Sequence, residues 1–309
     1  MLTPLIAGIF WGMCRRAIFA WYAIRVAQYG GELDLISYVP FAVSASFSDD
    51  PRNLAPVLLG LSQWDAVTLL EIGDVDDDEL GIIAAFRSLD TLVIDSSLVP
   101  GDGWAKLAQL SALRKLTVHY TKMTPALAKA VGELTRLEVF EFYGWGELPA
   151  DGLGFLKGLQ QLKSVQFIQR TLGRPLGKGD LDVLASLPQL RFLEIVNTPL
   201  ASGSLAELGS ARKLEYLEIS NAPINANDLA PIAALPKLLS LNLTNAAITN
   251  DALATLQRSR SIELLDISSN PVDSKGLESL HGIPSLKSIY VGVPLYDDAK
   301  RMFPGLEVH

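Results

Sequence analysis

One position of a repeating pattern collects carboxylates, and chemistry could live there. Taken every 22 to 28 residues, it is filled by Glu71, Val93, Thr117, Glu141, Gln166, Glu194, Glu218, Asn242, Asp266 and Tyr290. Five of the ten are acidic and none is basic. Phe192 and Tyr216 stand two residues before Glu194 and Glu218; His119 and Tyr143 stand two residues after Thr117 and Glu141. Two adjacent glutamates could in principle do acid–base work, as in glycoside hydrolysis. That chemistry needs one carboxylate in a distinct, pKa-shifting pocket, whereas an open sheet is expected to give all of them similar wet surroundings. A divalent cation between Glu194 and Glu218 would lack further ligands. Binding a basic or amide-rich protein segment needs only the charge and the rings. The plainer reading is that an exposed strand face must be polar, and an acidic protein supplies acids. Like charges opposed on neighbouring strands cost about 0.2–1 kcal/mol per pair, and a merely polar surface gains nothing from that.

The column exists because the sequence repeats. Leu193, Leu217, Leu241, Leu265 and Ile289 fall 24 residues apart, with an apolar residue three before and two after each. Five units thus read LxxLxL in one register. The marker continues backwards through Val165, Phe140, Leu116, Leu92 and Leu70 at less even intervals. Alternate strand residues point to opposite faces, so if Leu217 and Ile219 face a core, Tyr216, Glu218 and Ser220 face outward. The second half of each unit carries apolar residues at helical spacing, such as Leu229, Ile232 and Leu235. Asp and Asn before them suit a helix start. Leu187-Pro188, Leu235-Pro236 and Ile283-Pro284 then reset the chain toward an extended strand. Asn197, Asn221 and Asn245 sit where a left-handed turn residue is wanted. Each unit is therefore a short parallel strand followed by a short helix, and neighbours must stack to bury their apolar sides. A closed βα barrel needs longer units.

LxxLxL followed by a turn resembles the leucine-rich repeat. With ITNDAL (248–253), VDDDEL (75–80) and VDSKGL (272–277) in the V-T-D-x-x-L slot, the chain is similar to bacterial leucine-rich-repeat proteins of the planctomycete type, and through them to the ribonuclease-inhibitor-like class. AIRVAQYGGELDL (23–35) resembles their helix–Gly-Gly–strand cap, and LLGLSQWDAVTLLEI (58–72) the lead-in to their first repeat. The likeness covers residues 17–309. It implies an α/β, right-handed leucine-rich-repeat solenoid, or horseshoe, with a parallel concave sheet of about ten strands and short convex helices. The expected organisation is an N-terminal apolar segment and cap over 1–62, repeats over 63–293, and a C-terminal cap over 294–309. Residues 42–52, AVSASFSDDPR, read as a loop.

Composition bounds the rest. Of 309 residues, 49% are hydrophobic and 19% charged, enough for a sizeable core. A net charge of −8 argues against nucleic-acid binding, which needs a basic face. A single cysteine, Cys14, excludes an intrachain disulfide and any zinc cage built on cysteines. Residues 1–13 are apolar and uncharged, Arg15 and Arg16 follow, and AIFAWYAI comes next. A membrane span needs roughly 20 apolar residues, so a cap helix is one reading. A shortened or interfacial membrane anchor over residues 1–24, with Trp11, Trp21 and Tyr22 at the bilayer surface, is another. A cleaved signal peptide is the third. GRPLGKGD (173–180) is not a phosphate loop, because Gly179 stands where Ser or Thr would be needed. Trp64 and Trp104 are expected in the core, and Trp145 in a rim loop.

The expectation is thus a non-enzymatic, monomeric scaffold without cofactor or metal, binding a protein or basic peptide on an acidic concave face. Its binding residues are Glu141, Glu194, Glu218, Asp266, Phe192, Tyr216, His119, Tyr143 and Tyr290. The alternative is a membrane-tethered structural or envelope-associated repeat protein. The corresponding locations are cytoplasmic, or peripheral to or anchored at a membrane.

Overall fold

The computed structural model describes residues 31–35, 43–47, 55–63, 67–95, 99, 102–146, 148–169, 173–224 and 226–309. The apolar segment 1–24, with its three readings, and Trp64 lie outside the described residues. The chain divides into two compact units, residues 1–119 and 120–309.

In the first unit β1 (Gly31–Leu35) pairs antiparallel with β2 (Val43–Phe47). Then β2, β3 (Val67–Ile72), β4 (Thr91–Asp95) and the start of β5 (Lys115–Lys122) pair parallel in chain order. Strand β2 corrects the loop expected over 42–52. V-S-A-S-F alternates with period two, and its backbone is taken up by both β1 and β3; the serines masked a strand pattern. Helices α1 (Ala55–Ser62) and α2 (Asp77–Ile83) and a 3-10 turn, Gly103–Gln109, form the second halves of these repeats. Trp104 is fully buried, as expected.

In the second unit β6 (Val139–Trp145), β7 (Ser164–Gln169), β8 (Phe192–Val196), β9 (Tyr216–Ser220), β10 (Ser240–Asn242), β11 (Leu264–Asp266), β12 (Ser288–Tyr290) and β13 (Glu307–Val308) pair parallel in chain order. The helical halves are α3 (Pro125–Glu133), α4 (Lys178–Ser186), α5 (Ala226–Ala233), α6 (Asn250–Ala254), α7 (Ser274–Glu278) and α8 (Tyr296–Met302), with 3-10 turns between. Trp145 is the last residue of β6 and half-buried, not a loop residue.

The register is the one the repeat dictates. Leu193, Leu217, Leu241, Leu265 and Ile289 are cross-strand partners in succession, each with no exposed surface. Each such side chain contributes about 1.5–3 kcal/mol by leaving water. The helix starts follow the V-T-D-x-x-L slot. Asp76 accepts from the Glu79 N–H at 2.8 Å and Glu79 reaches back to the Asp76 N–H, closing a capping box. Thr249 and Asp273 hold the equivalent positions before α6 and α7. At the far end of α4, Leu187 before Pro188 takes ψ 114° and the chain extends.

The turns after the strands use the asparagines. Asn197, Asn221 and Asn245 have φ of 55°, 57° and 50°, in the left-handed region. Their amides also form a ladder, Asn221 Nδ2 donating to Asn197 Oδ1 at 2.7 Å and Asn245 Nδ2 to Asn221 Oδ1 at 2.8 Å. Asn270 plays a heavier part. Its Oδ1 accepts from the N–H groups of Ala246 and Ile248, and its Nδ2 donates to the carbonyls of Leu243, Ile267 and Ser268.

Candidate binding face

Outward residues of β6 to β12 share one sheet face, and none of the residues at those strand positions is basic. Register pairs Glu141 with Gln166, Gln166 with Glu194, Glu194 with Glu218, Glu218 with Asn242, Asn242 with Asp266, and Asp266 with Tyr290. These side chains are half-buried rather than fully exposed.

The densest part lies on β6 to β9. The rings of Phe192 and Tyr216 are parallel, 4.2 Å between centroids and 0° between planes. The Tyr216 hydroxyl donates to Glu218 Oε2 at 2.6 Å, and Ser220 Oγ donates to Glu218 Oε1 at 2.8 Å. Both oxygens of Glu218 are therefore engaged. Tyr143 donates to Gln166 Oε1 at 2.5 Å. Glu194 accepts no hydrogen bond from any described residue, and its charged neighbours are Glu218 and Glu141. Burial first, then those two carboxylates, raise its pKa from 4.5 to about 7. Burial, then the Glu141 and Glu194 carboxylates, raise the Tyr143 phenol, and burial with its bond to Glu218 raises that of Tyr216, so both stay neutral. The expectation of uniform wet surroundings is thus corrected. Glu194 and Glu218 are adjacent and chemically unlike, because one carries donors and the other does not.

The remaining predicted residues part company with this cluster. Asp266 Oδ1 accepts the Ser268 N–H at 2.8 Å, closing a turn at the end of β11. Tyr290 stacks on His309, 4.4 Å between centroids. His119 belongs to the first unit, where its Nδ1 makes a short hydrogen bond with Asp95 Oδ1. In that unit Thr117, expected on the open face, is only 3% exposed. Sequence reasoning placed Ser220 on this face without naming it as a binding residue, and passed over Asp95. The register could have found Asp95, which sits opposite His119 one repeat earlier.

Two depressions, of about 360 and 300 Å³, lie beside helical segments, and neither is lined by His119 or by a carboxylate of the column. Among the described residues no group of three or more His, Cys, Asp or Glu is placed to hold a metal ion. No described helix is long and apolar enough to cross a membrane.

Known proteins similar to this chain include leucine-rich-repeat structures. A family model described as "Leucine Rich repeat" matches residues 258–280. No curated protein matches the sequence. Among solved structures, an internalin from Listeria monocytogenes is 16% identical, with 75% of this chain and 76% of that one covered and a TM-score of 0.48. A leucine-rich-repeat protein of Leptospira interrogans is 15% identical, with 81% and 80% covered and a TM-score of 0.47. A TDR receptor is 21% identical with a TM-score of 0.54; 81% of this chain is covered, and it spans 44% of the receptor's length. At 21% identity the likeness to the receptor speaks to fold. With the 24-residue register, the parallel strands and the matched repeat, it makes this chain an α/β leucine-rich-repeat solenoid.

Proposed function

We propose that the protein is a non-enzymatic scaffold that binds a basic protein or peptide segment on the open strand face of its second unit. The observation that carries this is Glu194: half-buried, without a hydrogen-bond donor among the described residues, and flanked by two like charges. That arrangement costs the folded protein free energy when nothing is bound. A cation from a partner removes the cost, so the repulsion becomes affinity and specificity. Solenoids commonly use the strand face in this way. Glu141, Glu194 and Glu218 supply the charge, and Phe192, Tyr216 and Tyr143 the contact area. Asp266, Tyr290 and His119 are peripheral, being engaged with Ser268, His309 and Asp95.

The test is affinity capture from the native cell, with a Glu194→Lys/Glu218→Lys double variant as control. Reversing both charges should weaken capture of a protein with a basic segment by at least about 30-fold, since like charges now face each other. Undiminished capture by the double variant would place the binding surface elsewhere.

The tethered, envelope-associated reading rests on the apolar residues 1–24. Membrane fractionation of the full chain beside a chain lacking residues 1–29 tests it. Sedimentation with membranes that depends on those residues favours a tether, and full solubility of the intact chain removes it.

A further inference from the structure

The row that precedes the carboxylates is uneven. Across β7, β8, β9 and β10 it reads Ser164, Phe192, Tyr216 and Ser240, paired strand to strand. The 4.2 Å spacing of the two rings is close to the ~4.8 Å step between strands. The stack therefore runs from strand to strand, one ring per rung. At either end the next rung holds only a serine side chain. Each ring thus turns one face to its partner and the other over a serine.

The two ends are not equivalent. At the Ser240 end the polar groups are satisfied: Glu218 is held by Tyr216 and Ser220, and Asn242 accepts the Thr244 N–H at 2.9 Å. At the Ser164 end stands Glu194, with no donor among the described residues. Resting on the proposed basic partner, we propose that the rung over Ser164 seats the guanidinium of an arginine from the bound segment, stacked on the outer face of Phe192 and paired with the Glu194 carboxylate. A guanidinium is flat, weakly hydrated and able to give a carboxylate two parallel N–H bonds while its face covers a ring. It would extend the existing stack by one rung. A lysine ammonium is compact and strongly hydrated, and cannot satisfy both demands at once.

Among the described residues, the groups that face Glu194 are Glu141 and Tyr143 from β6, Gln166 from β7, and Tyr216 and Glu218 from β9. None is positive. An arriving guanidinium therefore lowers the pKa of Glu194 from about 7, and a proton leaves on binding near neutrality. Affinity is full above that pKa and falls as pH drops through it.

The experiment uses fluorescein-labelled penta-arginine, penta-lysine and penta-citrulline with the full chain, followed by anisotropy at pH 8 and pH 6. Penta-arginine is expected to bind more tightly at pH 8 than at pH 6, and penta-citrulline not to bind. Phe192→Leu and Ser164→Leu, which remove the ring and plug the rung, should each weaken penta-arginine about tenfold and penta-lysine less than twofold. Ser240→Leu, at the other end of the stack, should change neither, and circular dichroism checks that each variant folds. If penta-arginine fails to bind the native chain, both this seat and the basic-partner reading fall. If it binds and is lost with Glu194→Lys/Glu218→Lys, yet ignores Phe192→Leu and Ser164→Leu, the seat alone is overturned. Equal losses for arginine and lysine also overturn it.

Discussion

Strands β8 and β9 share a register with β10 and β11 but end differently. The first two run five residues, Phe192–Val196 and Tyr216–Ser220; the second two run three, Ser240–Asn242 and Leu264–Asp266. The same position carries Glu194 and Glu218 in one pair and Asn242 and Asp266 in the other. The shorter side chain folds back on its own backbone: Asn242 Oδ1 accepts the Thr244 N–H at 2.9 Å, and Asp266 Oδ1 the Ser268 N–H at 2.8 Å. This is the Asx turn, which competes with strand pairing. Glutamate is one methylene too long to close that ring comfortably. Its carboxylate stays out on the face, and the strand continues. One carbon atom thus separates a turn residue from a candidate binding residue in a repeated sequence.

Removing the turn chemistry on the β10–β11 side should have the largest effect. Asn270→Ala deletes an amide that accepts from two backbone N–H groups and donates to three carbonyls. The groups left without partners predict a loss of about 3 kcal/mol, read by urea denaturation. A loss under about 1 kcal/mol would mean that water replaces the amide readily and that this turn is no stiffer than its neighbours.

The β8–β9 side should respond to pH instead. Glu194 has a folded pKa of about 7, raised by burial and by Glu218 and Glu141. Its proton is bound more tightly in the folded chain than in the unfolded one. The stability linked to that proton is fully present below the unfolded value and is lost as pH rises through about 7. The full linkage, roughly 3 kcal/mol, is halved because the carboxylate is half exposed to screening water. Glu194→Gln should therefore stabilise the protein by about 1.5 kcal/mol at pH 8 and by little at pH 4. Chemical melts at the two pH values check it, and an equal effect at both would remove the repulsion from the account.

The smallest effect compares the two sides directly. Asp266→Ala loses the bond to the Ser268 N–H and should cost about 1 kcal/mol, while Asp266→Asn keeps an acceptor and should cost little. If Asn proves as costly as Ala, charge rather than turn closure holds Asp266 in place.

Much of this was legible in the residues. Leu193, Leu217, Leu241 and Leu265 announce both period and face, since side-chain direction in a strand alternates strictly. Asn197, Asn221 and Asn245 announced left-handed turns, because such a turn needs only local geometry. Strand β2 was missed because its pairing is supplied by β1 and β3, which lie outside its own stretch of chain. Trp145 was misplaced for a related reason: glycines on both sides suggested a loop, while pairing with β7 carries β6 through Gly144.

Sequence alone thus determined the repeat, the parallel stacking and the acidic sign of the open face. Those follow from period and composition, which belong to the chain itself. Tertiary structure decided which acids are alike. Glu218 receives Tyr216 and Ser220, Asp266 turns back on Ser268, and Glu194 receives no donor among the described residues. Hydrogen-bond donors, burial and neighbouring charge depend on packing between strands 24 residues apart, and they set what a carboxylate can do.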